Sequence, residues 1–164
     1  MRRCVSLGVF VLVSVTAVSL WAQAREENRV VRWAAPDLRS TETKDLTPQA
    51  KAAANGVGAK TFMDLRTHKV MMAHREKAGS PELHKGETDV FMVQSGGGIL
   101  QVGGEILDRK DSANGATGSS IRGGEKYQMA VGDVINIPPN VAHNWLLTPG
   151  QSVTYFIVKI EEPR

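Results

Sequence analysis

Cysteine is almost absent from this chain of 164 residues, and its one thiol, Cys4, lies near the N-terminus. A single cysteine excludes an internal disulfide framework, so the fold must be held by its apolar core. Three catalytic motifs are also missing, because the sequence has no G-x-S-x-G, no phosphate-binding loop and no H-E-x-x-H. Hydrolases with a nucleophile elbow, P-loop NTPases and the common zinc proteases are therefore excluded.

The N-terminal segment has the order of a secretory signal peptide. Arg2 and Arg3 form a basic start, the seventeen residues from Val5 to Trp21 are mostly apolar, and Ala22-Gln23-Ala24 supplies a small-residue cleavage site. This order predicts a cleaved signal peptide over residues 1–24 and a periplasmic or secreted mature protein without stable membrane association. An uncleaved membrane anchor is the alternative. Cleavage is favoured because the small residues directly follow the apolar run.

Excess charge of one sign is small once this leader is removed. The full sequence carries a net charge of +3, and losing Arg2 and Arg3 without any acidic residue leaves +1. A nucleic-acid-binding surface needs a marked positive excess, so no nucleic-acid partner is expected. The remaining 140 residues are enough to bury a sizeable core as one domain.

Residues 25–58 predict an N-terminal arm that ends in a short helix. Residues 25–46 are polar and mixed in charge, with one candidate edge strand at 30–33. Thr47-Pro48 has the character of an N-cap followed by proline at the first helical position, and Asn55-Gly56 is expected to end the helix.

Residues 59–164 predict a barrel of short strands. Segments rich in valine, isoleucine, phenylalanine and tyrosine alternate closely with glycine, proline and asparagine, which is typical of an all-β sandwich or barrel. Gly96-Gly97-Gly98 predicts a hairpin turn, and residues 108–118 predict an exposed loop. The expected fold is one all-β jelly roll with few open edges. Its predicted strands are 60–66, 69–77, 88–95, 98–103, 104–108, 119–122, 125–131, 133–137, 141–147 and 152–160.

Two half-motifs, separated by about fifty residues, combine metal-binding side chains with turn residues. They read Glu82-x-His84, four residues and Asp89, and then Gly132, five residues, Pro138-x-Asn140, two residues and His143. They resemble the two signature motifs of the cupin superfamily, G-x5-H-x-H-x3–4-E-x6-G and G-x5-P-x-G-x2-H-x3-N. The resemblance implies a double-stranded β-helix, that is, a jelly-roll barrel that binds one metal ion.

Two of the family's four metal ligands are replaced in this chain. His84 and His143 stand at the second and fourth ligand positions, whereas Glu82 replaces the first histidine and Asp89 replaces the glutamate. All four side chains can bind a metal, so the resemblance implies a divalent ion of Zn, Fe, Mn or Ni. Asn140 replaces a glycine of the second motif, which is a mild change because asparagine also tolerates a positive φ.

Strand alternation predicts that these polar side chains face the barrel interior. Asp89 shares a face with Phe91, and His143 shares a face with Trp145. A polar group on an inward face costs about 2–7 kcal/mol unless it is hydrogen-bonded, ion-paired or bound to metal. A metal supplies that compensation, and the alternative is a metal-free polar network.

Phe91, Trp145 and His74 are the candidate pocket residues. The two aromatic side chains fall beside the predicted metal ligands, at the barrel mouth where small molecules bind. His74 lies in the strand 69–77 and is a candidate proton shuttle or supporting partner of the metal site. The slightly favoured alternative for His74 is a half-buried strand histidine that is hydrogen-bonded to a neighbour.

Two function hypotheses remain, and both take a small-molecule ligand. The first is a metal-dependent enzyme acting on a small polar molecule, with Glu82 as general base if it is not a ligand. The family resemblance admits isomerase, lyase, decarboxylase and dioxygenase reactions. The second is a non-catalytic binding or sensing module without metal, in which Glu82 pairs with His84 or Arg75. Cupins commonly pair through edge strands, so the resemblance also implies a homodimer.

Overall fold

The computed structural model describes residues 29–162, and the predicted signal peptide lies outside them. The chain divides into two units, Met1–Arg32 and Trp33–Arg164. Residues 29–32 of the first unit have no regular secondary structure, and the elements described below belong to the second. Within residues 29–162, no helix combines the length and the apolar character that a membrane span requires.

A helical segment precedes the strands, in agreement with the predicted short N-terminal helix, but it is longer than predicted. It consists of α1 (Ala35–Thr41), a π-helical turn (Glu42–Leu46) and α2 (Thr47–Ala52). Residues 30–33 do not form the predicted edge strand.

Two prolines explain why the helical segment begins before the predicted Thr47 and why it contains a π-helical turn. Pro36 lies in the first turn of α1, where its missing N–H has no intrahelical partner to lose. Pro48 lies inside the helical segment, where it cannot donate to the carbonyl four residues earlier. The wider π-helical turn ends directly before α2 and accommodates this break, because the Thr47 N–H bonds to the carbonyl of Glu42.

The described part of the chain contains twelve strands, and the pairs between them are antiparallel. The strands are β1 (Val57–Asp64), β2 (His68–Arg75), β3 (Glu82–His84), β4 (Glu87–Val102), β5 (Glu105–Leu107), β6 (Lys110–Asp111), β7 (Gly115–Thr117), β8 (Ser120–Arg122), β9 (Glu125–Ala130), β10 (Val134–Ile137), β11 (His143–Leu146) and β12 (Val153–Glu161).

Ten of these strands form a hydrogen-bonded array that the long strand β4 divides into two halves. In the first half, the order is β1-β2-β12-β4, and β10 pairs with the other edge of β4. In the second half, β4 lies between β9 and β11, and β3, β7 and β6 follow β11. Strands β5 and β8 form a separate pair. The all-β jelly-roll barrel is therefore confirmed.

Strand β4 passes from one half to the other at three consecutive glycines, so the predicted hairpin turn at this place is wrong. Gly96 has a φ of 67°, a conformation that glycine adopts without strain. A Cβ on Gly97 would lie 2.5 Å from the carbonyl oxygen of Met129, so the neighbouring strand also excludes a side chain there. The glycines therefore bend a continuous strand.

The main core lies between the two halves of the array. Phe91, Tyr155 and Ile157 contribute from the first half, and Leu100 and Trp145 contribute from the second, all of them at most 7% exposed. Side chains from both halves thus pack into one interior, as in a two-sheet jelly roll.

A second apolar cluster covers the outer face of the first half. Leu46, from the π-helical turn, packs with Val70, Met72 and Phe156. Strand β2 is therefore apolar on both faces, because one face meets the barrel core and the other meets the N-terminal helix.

The region predicted as an exposed loop, residues 108–118, also contains short strands. Strand β7 pairs with β3, and β6 pairs with β7. Ala116 is buried in a small cluster with Leu83 and Ile106. This pairing extends the sheet beside β3, which carries two of the predicted metal ligands.

Candidate metal centre

The strands β3 and β11 bring the two predicted histidine ligands together. Glu82 and His143 are directly opposite partners in the antiparallel pair of β3 and β11. The turn before β11 is tied to β3, because the backbone N–H of Asn140 donates to the carbonyl of His84 at 2.7 Å. Asn140 has a φ of 63°, as its position in the second motif predicts. The turn thus holds His84 and His143 in a fixed relation.

Both histidines direct an unsatisfied ring nitrogen at the same carboxylate oxygen. The Nε2 atoms of His84 and His143 are buried and have no hydrogen-bond partner. They lie 3.4 Å and 3.5 Å from Oδ2 of Asp89. Buried polar atoms are nearly always bonded, so two orphaned nitrogens at one place require an explanation.

The tautomer of His143 is fixed by its other nitrogen. Nδ1 lies 3.2 Å from the carbonyl oxygen of Val141, which can only accept a hydrogen bond. Nδ1 therefore carries the proton, and in the neutral ring Nε2 presents a lone pair to the site. This is the arrangement that orients a metal-binding histidine.

Asp89 is fully enclosed and uses its two oxygens differently. Its side chain is 2% exposed, and Oδ1 accepts a hydrogen bond from Nζ of Lys159 at 2.8 Å. Oδ2 faces the two histidines. Lys159 stands directly opposite Asp89 across β12 and β4, so the sheet register fixes this division of roles.

Glu82 stands on the outer side of the cluster. Its Oε1 lies 3.6 Å from Nε2 of His143, and its side chain is 39% exposed. Burial alone would raise the pKa of Glu82. The polar contact with His143 and the positive charges of His143, His84 and Arg75 outweigh burial and lower the pKa to about 2. Glu82 is therefore an anion at neutral pH.

The donor atoms have the spacing of a metal-binding site. Ligand atoms about 2.1 Å from a tetrahedral metal lie roughly 3.4 Å from one another. The three distances that join His84, His143, Asp89 and Glu82 are 3.4, 3.5 and 3.6 Å. Ligand atoms within 4.8 Å of one another occur in two triads that share His84, one with Glu82 and His143 and the other with Glu87 and Asp89. Two imidazoles and two carboxylates are suitable ligands for Zn²⁺, Fe²⁺, Mn²⁺ or Ni²⁺. The residues present fit a divalent ion.

His74 does not line this site, contrary to its candidate role as a pocket residue, and its position agrees with the favoured alternative of a strand histidine that is hydrogen-bonded to its neighbours. It lies with Val70 and Met72 on the face of β2 that the N-terminal helix covers. Its Nδ1 is 2.7 Å from Oγ1 of Thr154, and its Nε2 is 3.0 Å from Oε1 of Glu76. His74 is 4% exposed and belongs to a hydrogen-bonded network outside the barrel interior.

Phe91 and Trp145 lie next to the site, within the apolar core. The Phe91 ring meets the His143 ring edge-on at 5.8 Å and stacks on Trp145 at 6.5 Å. Both aromatic side chains are at most 3% exposed. They form an apolar floor on the inner side of His143, and Nε1 of Trp145 is buried there without a hydrogen-bond partner.

Two charged residues at the site were not predicted. Lys159 forms an ion pair with Asp89. Glu87 contacts both Lys159 and His84, because its Oε2 lies 3.2 Å from Nζ of Lys159 and 3.8 Å from Nδ1 of His84. The sequence did contain a signal for Lys159, because it follows the buried Ile157 at the alternate position of β12. A lysine on an inward face needs a carboxylate partner.

No protein-family model matches the sequence, and no curated protein matches it. Solved structures do resemble the chain. A protein from Photorhabdus luminescens is 11% identical, with 81% of this chain and 88% of that chain covered and a TM-score of 0.50. A cupin-like protein from Thermotoga maritima is 19% identical, with 63% and 68% covered and a TM-score of 0.47. The nucleoside dehydratase Pac13, from Streptomyces, is 12% identical, with 68% and 75% covered and a TM-score of 0.49.

At these identities the similarity concerns the fold, and it does not extend to activity. The two-halved antiparallel array around one core is a single jelly-roll barrel.

Proposed function

We propose that this cupin-type barrel holds one divalent metal ion and acts as a metal-dependent enzyme on a small polar molecule. The observation that carries the proposal is the pair of buried Nε2 atoms of His84 and His143. Neither has a hydrogen-bond partner, and both face Oδ2 of Asp89. A metal ion supplies the compensation that two orphaned imidazoles require.

Each of the four residues has a distinct part in this proposal. His84 and His143 donate neutral nitrogen lone pairs, and the Val141 carbonyl fixes the His143 ring. Asp89 presents Oδ2 while Lys159 holds Oδ1. Glu82 adds a second carboxylate from the exposed side. Two carboxylates neutralise a divalent charge, and Lys159 restores one positive charge beside it.

The lowered pKa of Glu82 favours its role as a ligand over its predicted role as general base. A general base works best when its pKa lies near the operating pH. The pKa of about 2 rests on positive charge at His84 and His143, and a divalent ion held by neutral histidines would supply positive charge in its place, so Glu82 would remain a poor proton acceptor at neutral pH. It is, however, a ready metal ligand, because it does not need to lose a proton first.

The metal, when bound, polarises an oxygen of the substrate as a Lewis acid. The protein would position the substrate and exclude water from the site. Phe91 and Trp145 close the inner side of His143 with apolar surface. A substrate therefore approaches from the side of Glu82, which is the more exposed side of the cluster.

A metal-free binding module remains the second candidate function. The observation that favours it is the ion pair between Lys159 and Asp89, which already neutralises the most deeply buried carboxylate without any metal. In that case the protein binds a small molecule beside this polar cluster but does not catalyse a reaction.

Elemental analysis of the purified protein tests the proposal. We expect about one divalent ion per chain in the wild type and at least a tenfold loss of affinity in His84→Ala and His143→Ala, because each variant removes one ligand. His68→Ala is the matched control, since His68 contacts Thr67 and is not at the site. Wild-type protein that remains metal-free after incubation with Zn²⁺, Fe²⁺, Mn²⁺ and Ni²⁺ supports the binding module instead.

We also propose that the protein acts outside the cytoplasm. The order of Arg2 and Arg3, an apolar stretch and Ala22-Gln23-Ala24 supports export with cleavage after Ala24. Mass spectrometry of exported protein should then find Arg25 at the N-terminus, and an intact Met1 on soluble protein would contradict export by this route.

A further inference from the structure

A cavity of about 350 Å³ opens beside Glu82, at the exposed side of the metal centre. Its size lies within the range of small-molecule sites, roughly 300–1,000 Å³. The polar side chains that line it include Arg75, Lys77, Ser80 and Glu82. Two cations thus face a cavity that contains one carboxylate, and that carboxylate belongs to the proposed metal centre.

Arg75 is held in place from the barrel core. It occupies the end of β2 at the alternate position to the buried Ala73, and its Nε donates to the hydroxyl oxygen of Tyr155 at 2.8 Å. Burial raises the pKa of Tyr155, so the phenol stays neutral and accepts this hydrogen bond. One N–H of the guanidinium is therefore used to orient it, and the others remain for a ligand.

The carboxylates nearest to Arg75 along the chain are engaged elsewhere. Glu76 binds His74 on the opposite face of β2, with 3.0 Å between Oε1 and Nε2. Glu82 is turned toward His143. Within residues 29–162, no carboxylate oxygen lies within 4.0 Å of the Arg75 guanidinium. Arg75 thus acts on Glu82 through its charge without forming an ion pair, and its half-buried guanidinium can still bind an anion.

The backbone next to Arg75 leaves space for the guanidinium. A Cβ on Gly79 would lie 2.9 Å from Nη1 of Arg75 and 2.8 Å from Oδ1 of Asn144. Oδ1 of Asn144 is itself buried without a hydrogen-bond partner. The absence of a side chain at Gly79 therefore keeps a polar region open beside Arg75.

We propose that Arg75 and Lys77 form an anion subsite beside the metal centre, and that the ligand of this protein is a small carboxylate. An arginine fork matches the two oxygens of a carboxylate, and Lys77 adds a second positive charge at the rim. Glu82 in the same cavity disfavours phosphate, which would place up to two negative charges at this subsite, more strongly than a carboxylate group, which places one there. The inference deepens the proposed function, on which it rests, by naming the chemical class of the substrate.

Calorimetric titration with malonate tests this subsite, because malonate is a small molecule that offers a carboxylate to Arg75 and a second one to a metal ion. We expect malonate to bind zinc-loaded wild type, and Arg75→Gln to weaken binding at least tenfold while the zinc content is unchanged. Lys77→Gln should weaken binding roughly two- to fivefold, the value of one exposed charge. Lys126→Gln, an exposed lysine on β9, is the matched control and should bind as the wild type does.

Two further comparisons identify the type of anion that binds and control for misfolding of the variants. Arg75→Lys keeps the charge but loses the two-point contact, so it should also weaken malonate binding with an unchanged thermal transition. Malonamide, which lacks the negative charges, should not bind. Inorganic phosphate that binds more tightly than malonate would overturn the assignment to carboxylates.

Failure of the subsite and failure of the metal proposal give different results. Equal malonate affinity in wild type, Arg75→Gln and Arg75→Lys, with zinc bound in all three, overturns the subsite and leaves the metal centre intact. If no variant binds zinc, the metal proposal fails, and the same titration on metal-free protein decides the subsite alone. Binding that depends on Arg75 then supports it, and the absence of binding overturns it.

Discussion

At the scale of single residues, the different contacts of the two carboxylate oxygens of Asp89 explain how this anion can be fully buried. Oδ1 bonds to Lys159 and Oδ2 faces His84 and His143, so both oxygens have a partner or a defined direction. An isolated carboxylate with 2% exposure would carry a desolvation penalty of several kcal/mol. The sheet register supplies the compensation because Lys159 stands directly opposite Asp89.

Glu82 should make the stability of the metal-free protein depend on pH in acid. Its pKa is lowered to about 2 in the folded protein from 4.5, so its contribution is complete above pH 4.5 and is lost as the pH falls toward 2. We expect Glu82→Gln to be about 0.5–1 kcal/mol less stable than the wild type at pH 6, a value limited by solvent screening.

Urea unfolding of metal-free protein at pH 6, 4.5 and 3 measures this difference. The gap between wild type and Glu82→Gln should narrow as the pH decreases below 4.5. Asp37→Asn is a suitable control, because Asp37 is an exposed carboxylate in α1, outside the strands that carry the centre. A difference in the free energy of unfolding that is the same at all three pH values would show that Glu82 has no such interaction.

Alternation along strands predicted which residues share a face, but it could not say which face is interior. Asp89, Phe91, His143 and Trp145 were placed correctly because one face of β4 and β11 is clearly the apolar one. His74 was misplaced because both faces of β2 are apolar, one meeting the barrel core and the other meeting the helix. Knowledge of the helix position was needed to separate them.

At the scale of elements, the strand signals were more reliable than the turn signals. Gly123-Gly124 and Gly132 end strands with positive φ values, as tight turns do. The run Gly96-Gly97-Gly98 has the same composition, yet it lies inside β4, where neighbouring strands leave no space for side chains. Glycine marks both a turn and a close approach, and only the tertiary packing distinguishes them.

The helical segment depends on its packing against the first half of the barrel. Leu46 is 1% exposed and contacts Val70, Met72 and Phe156. Leu46→Ala should destabilise the protein by about 2–5 kcal/mol, because it leaves a cavity in this second cluster. Urea unfolding measures this loss of stability. Metal affinity should be unchanged, because the cluster lies on the outer, helix-covered face of β2 and the candidate metal ligands face the barrel interior.

Lys51→Ala is the matched control for this change, since Lys51 is an exposed residue of α2 and alanine is a good helix former. Equal stability of Leu46→Ala and Lys51→Ala would contradict the role of the helix as a cover for the outer face.

At the scale of the whole molecule, two halves of one antiparallel array enclose a single core, and β4 connects them. The four candidate metal ligands come from β3, β4 and β11, so the centre joins β11 to two strands that are distant from it in sequence. The spacing of the two half-motifs could predict this convergence. Two charged residues around it were not predicted: Lys159 comes from β12, outside both motifs, and Glu87 lies within the first motif at a position that the motif leaves unspecified.

Because the centre links separate strands, metal binding should stabilise the entire barrel. A ligand that binds only the folded state adds about 2.7 kcal/mol at a concentration of one hundred times its Kd. For a domain of this size, that increment corresponds to a rise in the melting temperature on the order of 10 °C. Differential scanning calorimetry of metal-free protein, with and without the ion that elemental analysis identifies, measures the rise.

His143→Ala should melt at the same temperature with and without the metal, because the variant lacks a ligand while the sheet remains complete. His68→Ala should keep the full increment, since His68 lies at the start of β2 and not at the centre. A chelator should reverse the rise in the wild type and in His68→Ala, and it should change nothing in His143→Ala. If the wild type instead melts at one temperature in metal and in chelator, the polar cluster is held by the Lys159–Asp89 ion pair without a metal, and the binding module becomes the better account.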